Sequence, residues 1–190
     1  CRFKEDVSAL EQQLSKFRKE EVLIVYTPAI PAEHTELMML RRQAYHMLKR
    51  SQVLGLITEQ FKTIAIAGTH GKTTTTTMVT HLLRSAGVNC FSFMGGISRN
   101  YGTNLLLGDA DKEPYVVVEA DEYDRSFLTL SPYIALITSC DADHLDIYGD
   151  GEEVKKSYGQ FAGRVKPDGI LVVKKNVDND LNLKVKRLIY

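Results

Sequence analysis

At 190 residues the chain is long enough for one full domain plus part of another. Lys and Arg number 24 and Asp and Glu 24, so the net charge is zero and no basic excess marks a nucleic-acid binder. No apolar run has the length needed to cross a bilayer, and 44% hydrophobic with 25% charged residues is ordinary for a globular protein.

Residues 5–19 set Val7, Leu10, Leu14 and Phe17 at helical spacing. Glu21 to Tyr26 follows as a short apolar strand, ended by Pro28 and Pro31, which cannot donate to a ladder. The pattern predicts a helix from Thr35 to Met47, a short strand ending at Leu48, and a helix over 52–60 capped by Ser51. Residues 1–50 therefore read as pieces of a Rossmann-like α/β domain without its opening strand, and residues 51–190 as a central domain. No G-x-G-x-x-G occurs in the first 50 residues, so nothing there marks nucleotide binding by itself.

Lys62 to Thr77, KTIAIAGTHGKTTTTT, organises the rest. Alternating β-branched residues break at Gly68-Thr69-His70-Gly71, and Lys72 leads a run of threonines. A buried strand, a glycine turn and a helix start make an anion cradle, because backbone N–H groups and the positive helix end face the same point. Lys72 supplies a mobile cation for outer phosphates, and the Thr73 hydroxyl suits a magnesium ion. The usual phosphate loop has a glycine where this chain has Ile66, so the loop is shorter.

The helix from Thr73 to Ala86 closes at Gly87, Val88 to Met94 is a strand, and Gly95 to Glu113 reads as a long loop. Further strands are predicted at 115–118, 133–138 and 169–173, with an amphipathic helix over 151–165 and a short helix and last strand in the tail. The central strands are apolar on both faces, which predicts a mainly parallel sheet with helices on both faces, an α/β fold of phosphate-loop type. Ligands of such sheets bind at the carboxyl ends of the strands, where Gly68 to Thr73, Glu119 to Asp124 and Asp141 to Asp146 lie. Three cysteines, Cys1, Cys90 and Cys140, are odd in number and lack a CxxC. Cys90 and Cys140 read as buried small hydrophobes in a reducing cytoplasm.

Glu119 ends the apolar strand YVVV, where a carboxylate facing the Thr73 hydroxyl completes a hard oxygen site for magnesium. His144, among Asp141, Asp143 and Asp146, is a ligand candidate for zinc or a second magnesium, although zinc wants more His or Cys than this neighbourhood supplies. No G-x-S-x-G supports Ser-His-Asp hydrolysis.

GTHGKTTTT, then EADE with Asp124 and RSFL, then DADHLD, in this order, resemble the Mur ligase family, and within it the branch that joins L-alanine to UDP-N-acetylmuramate. YTPAIPAEHTEL (26–37) resembles the end of that branch's UDP-sugar-binding domain, KRSQVLG (49–55) its link to the central ATPase domain, and GGISRNYGTN (95–104) its glycine-rich loop near the sugar. The resemblance implies that Gly68, Thr69, His70, Gly71, Lys72, Thr73 and Thr74 hold ATP phosphates and that Thr73 and Glu119 hold one magnesium. It implies that His144 helps place a second. It further implies an ADP-forming, cytoplasmic ligation in peptidoglycan precursor synthesis, running through an acyl phosphate on the muramyl carboxylate. Neither nucleic acid nor membrane is an expected partner, and a third domain that sets amino-acid specificity is expected outside this chain.

Two residues depart from the family pattern: Ser139 stands where many members carry Asn, and Tyr123 where the alanine branch often has serine. EADEY also occurs in a sister branch that ligates a tripeptide, which stays open as a second reading. A nucleotide-binding switch without ligase chemistry is the alternative of a different class, and a folylpolyglutamate synthetase relative is a third reading that DADHLD and YTPAIP count against.

Overall fold

The computed structural model describes residues 5–141, 150–181 and 187–190. The chain divides into two compact units, Cys1–Val53 and Leu54–Tyr190.

In the first unit, α1 (Val7–Leu14) starts where the Asp6 side chain accepts from the Ala9 N–H at 2.9 Å. Strands β1 (Leu23–Tyr26) and β2 (His46–Lys49) pair in parallel, with α2 (Thr35–Arg42) between them in sequence. Leu14, Leu37 and Leu40 are the unit's buried apolar residues among those described. Hydrogen bonds from the Thr35 hydroxyl and amide hold the Glu5 carboxyl below its usual range.

The helix predicted to run to Met47 stops at Arg42, and the reason is local. Ala44 adopts a left-handed φ of 52°, Ala44 N–H donates to Arg41 O, and Tyr45 N–H reaches back to Leu40 O at 3.1 Å. This is a Schellman closure without the glycine that normally announces one. The stop frees residues 46–49 for β2. The next helix, α3 (Arg50–Gln60), begins before the predicted residue 52, with the Gln52 side chain accepting from Lys49 N–H at 2.8 Å.

The second unit is built on a seven-stranded sheet in the order β5-β4-β6-β3-β7-β8-β9. The strands are β3 (Lys62–Ala67), β4 (Cys90–Phe93), β5 (Leu105–Leu106), β6 (Tyr115–Glu119), β7 (Ile134–Ile137), β8 (Ile170–Val173) and β9 (Arg187–Ile189). Every pairing is parallel except β4 with β5. The two faces of β3 explain why its residues 64–67 are apolar without a break. Ala65 and Ala67 face a core with Phe127, Tyr158 and Phe161, whereas Ile64 and Ile66 face Val117, Cys90 and the α4 residues Val79 and Leu83. Helix α4 (Lys72–Ser85) thus covers one face and α5 (Gly151–Ala162) the other, with α6 (Lys175–Leu181) beside α5. Burial pushes the Cys90 thiol up, which keeps it protonated inside the core.

Several segments differ from expectation. The loop predicted over 95–113 folds back as a hairpin: Met94 N–H donates to Asn104 O at 2.9 Å, and Leu105–Leu106 pairs antiparallel with Ser92 and Phe93. Two residues are too few for a periodicity signal. The threonine run is helical despite its low propensity; the hydroxyl of Thr77 within it, and that of Thr80 beyond it, donate back one turn, to Thr73 O at 2.8 Å and Thr76 O at 2.7 Å. Helix α4 closes at Gly87, where φ is 73° and Val88 N–H donates to Leu83 O. No helix among the described residues is long and apolar enough to cross a membrane.

Candidate active site

Strand β3 lies between β6 and β7; the connection after β3 runs to β4 on one side, and the connection after β6 crosses to β7 on the other. Such a reversal opens a crevice at the strand ends. Into it run the loop after β3, the Glu119 end of β6 and the Thr138-Ser139 end of β7.

The loop is shaped by backbone that only glycine takes readily. Gly68 has φ 135° and Gly71 φ 84°, and a Cβ on Gly68 would collide with Thr138 Oγ1 and the Ser139 amide. The close approach is used. Thr138 Oγ1 donates within the loop, to Ala67 O or His70 O. Ser139 Oγ accepts from His70 N–H at 2.9 Å, and Ser139 O from Thr69 N–H at 3.3 Å. Thr69 Oγ1 donates to Asp141 O at 3.1 Å. The serine that departs from the family asparagine is therefore a tie for the loop. Gly71 caps α4, and the amides of Lys72, Thr73 and Thr74 open that helix without intrahelical acceptors.

Lys72 Nζ donates to Gly68 O at 2.8 Å, to Thr69 O at 3.4 Å and to Glu122 Oε1 at 2.9 Å. Thr73 Oγ1 donates to Glu119 Oε1 at 3.1 Å, and Gly95 N–H to Glu119 Oε2 at 2.8 Å. A Cβ at Gly95 would collide with that carboxylate where it now stands, so glycine lets the hairpin loop close on Glu119 without displacing it. The structure thus brings Gly68, Thr69, His70, Gly71, Lys72, Thr73, Thr74 and Glu119 into one crevice. His144 lies outside the described residues, as do Asp143 and Asp146.

The donor set fits magnesium nucleotide. Two cis ligands of an octahedral magnesium at about 2.1 Å stand roughly 3 Å apart, and the Thr73 and Glu119 oxygens are 3.1 Å apart. Helix-end amides and an ammonium suit phosphate oxygens. Among the described residues no cluster of three His, Cys, Asp or Glu groups stands ready for zinc. Beside the crevice, α4 and the hairpin loop enclose an open groove of about 400 Å³, lined by Thr73, Thr74, Thr77, His81, Ser98 and Arg99 among others.

Nothing in the sequence singles out Glu122 as the partner of Lys72, or Gly95 as the backbone donor to Glu119. Glu122 stands among four acids in six residues, and only its burial sets it apart. Gly95 is one of several glycines in its segment.

A family model described as the Mur ligase middle domain matches residues 66–188. A UDP-N-acetylmuramate–L-alanine ligase of Cytophaga hutchinsonii is 52% identical over 162 residues, covering 85% of this chain and 35% of that protein. The solved UDP-N-acetylmuramate-alanine ligase of Thermotoga maritima matches with a TM-score of 0.73 at 26% identity, over 88% of this chain and 38% of the other. A UDP-N-acetylmuramate:L-alanyl-gamma-D-glutamyl-meso-diaminopimelate ligase of Neisseria meningitides shares the fold, with a TM-score of 0.79 at 23% identity over 94% of this chain and 60% of the other. The chain spans about a third of the length of the curated relatives it matches. With that coverage, and with the phosphate loop and its carboxylate at the strand ends, the chain belongs to the Mur ligase family and carries its middle domain.

Proposed function

We propose that the full-length protein carrying this chain is an ADP-forming ligase that joins L-alanine to the carboxylate of UDP-N-acetylmuramate in the cytoplasm. In this reading residues 1–50 end a UDP-sugar-binding domain and residues 51–190 form the ATP-binding domain. The observation that carries the nucleotide half is the pairing of Thr73 with Glu119 beside the Lys72 loop. The acceptor half rests on likeness to ligases of that name, 52% identical over most of this chain.

The residues have separate tasks. Lys72 and the first amides of α4 bind and orient the phosphates, holding the terminal one towards the acceptor carboxylate. Thr73 and Glu119 hold a cation, and His144 is proposed to help place a second. Bound magnesium would supply charge neutralisation on the phosphate oxygens during transfer. The Gly95 amide fixes the Glu119 carboxylate, so its oxygens are aimed before any cation arrives. The muramyl carboxylate becomes an acyl phosphate, the L-alanine amine attacks it, and phosphate leaves.

The test is ADP release by the full-length enzyme with and without each acceptor. ADP should form only when UDP-N-acetylmuramate and an amine are both present, with L-alanine preferred to the L-alanyl-γ-D-glutamyl-diaminopimelate tripeptide. ADP release indifferent to both acceptors would indicate a nucleotide switch and end the ligase reading. Preference for the tripeptide would move the protein to the sister activity.

A further inference from the structure

Lys72 is enclosed rather than presented to solvent. Its side chain is 14% exposed and that of Glu122 3% exposed, with Nζ 2.9 Å from Oε1. An ammonium has three N–H donors, and Gly68 O, Thr69 O and Glu122 Oε1 supply three acceptors. All of its hydrogen-bonding capacity is thus spent inside the protein. Glu122 is also firmly mounted. It precedes a 3₁₀ turn (Tyr123–Thr129) whose Phe127 is buried, stacks on Phe161 at 5.1 Å and meets Tyr158 edge-on at 5.4 Å. Phe127 N–H and Ser126 Oγ both donate to Asp121 O, and Arg125 N–H donates to Glu122 O. These contacts hold the backbone that carries the Glu122 carboxylate.

We infer that Glu122 is a positioning residue that acts through Lys72: it neutralises and holds the lysine in the empty enzyme, and phosphate must replace it to bind. This rests on the reading of Lys72 as a phosphate-binding cation. Two consequences follow from charge alone. A buried ammonium without nucleotide would otherwise lack a counter-charge. A fixed carboxylate beside the incoming phosphates opposes them, so Glu122 keeps nucleotide affinity moderate and ADP exchangeable.

Glu122→Gln keeps the shape and the acceptor oxygen but removes the charge. In the full-length enzyme, calorimetry should show ADP with magnesium binding about tenfold more tightly, the effect of one lost charge opposition at close range. The empty variant should melt below the wild type, and saturating ADP should close that gap. A merely structural role predicts equal melting losses with and without ADP and an unchanged Kd, which would overturn the inference. Weaker binding would overturn it too, because Glu122 would then aim Lys72 at phosphate. A second measurement needs no variant: in a crystal of the wild-type enzyme with ADP, the Lys72–Glu122 contact should have opened, and an intact pair contradicts the exchange. Failure of the wild type to bind nucleotide at all would instead defeat the ligase reading itself.

Discussion

Lys72→Ala in the full-length enzyme should lower the rate of ADP release by on the order of 10²- to 10³-fold, the usual loss for one preorganised electrostatic group. Lys72 opens α4 and carries the one side-chain cation hydrogen-bonded to the loop among the described residues. Its removal takes away the charge that meets phosphate and leaves the buried Glu122 carboxylate facing the cradle. Loss of one member of a buried pair also destabilises, by about 3–5 kcal/mol, so the rate must be measured well below the variant's melting midpoint. Steady-state ADP release together with circular dichroism separates the two effects. A folded variant that turns over near the wild-type rate would show that Lys72 has no part in phosphate binding.

Glu119→Ala should cost about 10²-fold in turnover and raise the magnesium concentration needed for half-maximal activity. Glu119 ends β6 outside the apolar core, so its loss removes the partner of Thr73 and of the Gly95 amide without opening a cavity in the sheet. The fold should survive, and the variant's melting midpoint should stay close to that of the wild type. A magnesium titration of the rate gives the check. Near-normal turnover at ordinary magnesium would mean that Glu119 is an acid that happens to lie beside Thr73.

The parts of this structure that can be read from sequence are those fixed by local rules. Ile64 and Ile66 alternate with Ala65 and Ala67 because both faces of β3 are covered, and the strand is legible from that alone. Gly87 announces the end of α4, whereas Ala44 takes the same left-handed conformation unannounced, so the sequence pattern runs α2 several residues too far. The hairpin pairing of Leu105 and Leu106 depends on β4 being next to it, which no local pattern encodes.

The site divides the same way. The Gly68 to Thr73 loop and the position of Glu119 follow from strand, turn and helix signals in order. The choice of Glu122 over its acidic neighbours as partner of Lys72 follows from the Phe127 anchor and the burial it imposes, facts of packing between residues far apart in sequence. Ser139 behaves likewise. Its departure from the family pattern is visible in the sequence, but its bond to the His70 amide is a product of β7 lying against β3.

On the proposed function, this strand-end site transfers the terminal phosphoryl group of ATP to the acceptor carboxylate. The most direct measurement uses UDP-N-acetylmuramate labelled with oxygen-18 in its carboxylate, turned over by the full-length enzyme with ATP and L-alanine, with the released phosphate analysed by mass spectrometry. An acyl phosphate requires one carboxylate oxygen to leave with phosphate, so each phosphate formed should carry one labelled oxygen. Phosphate free of label, with the ligated product formed at a normal rate, would contradict the account.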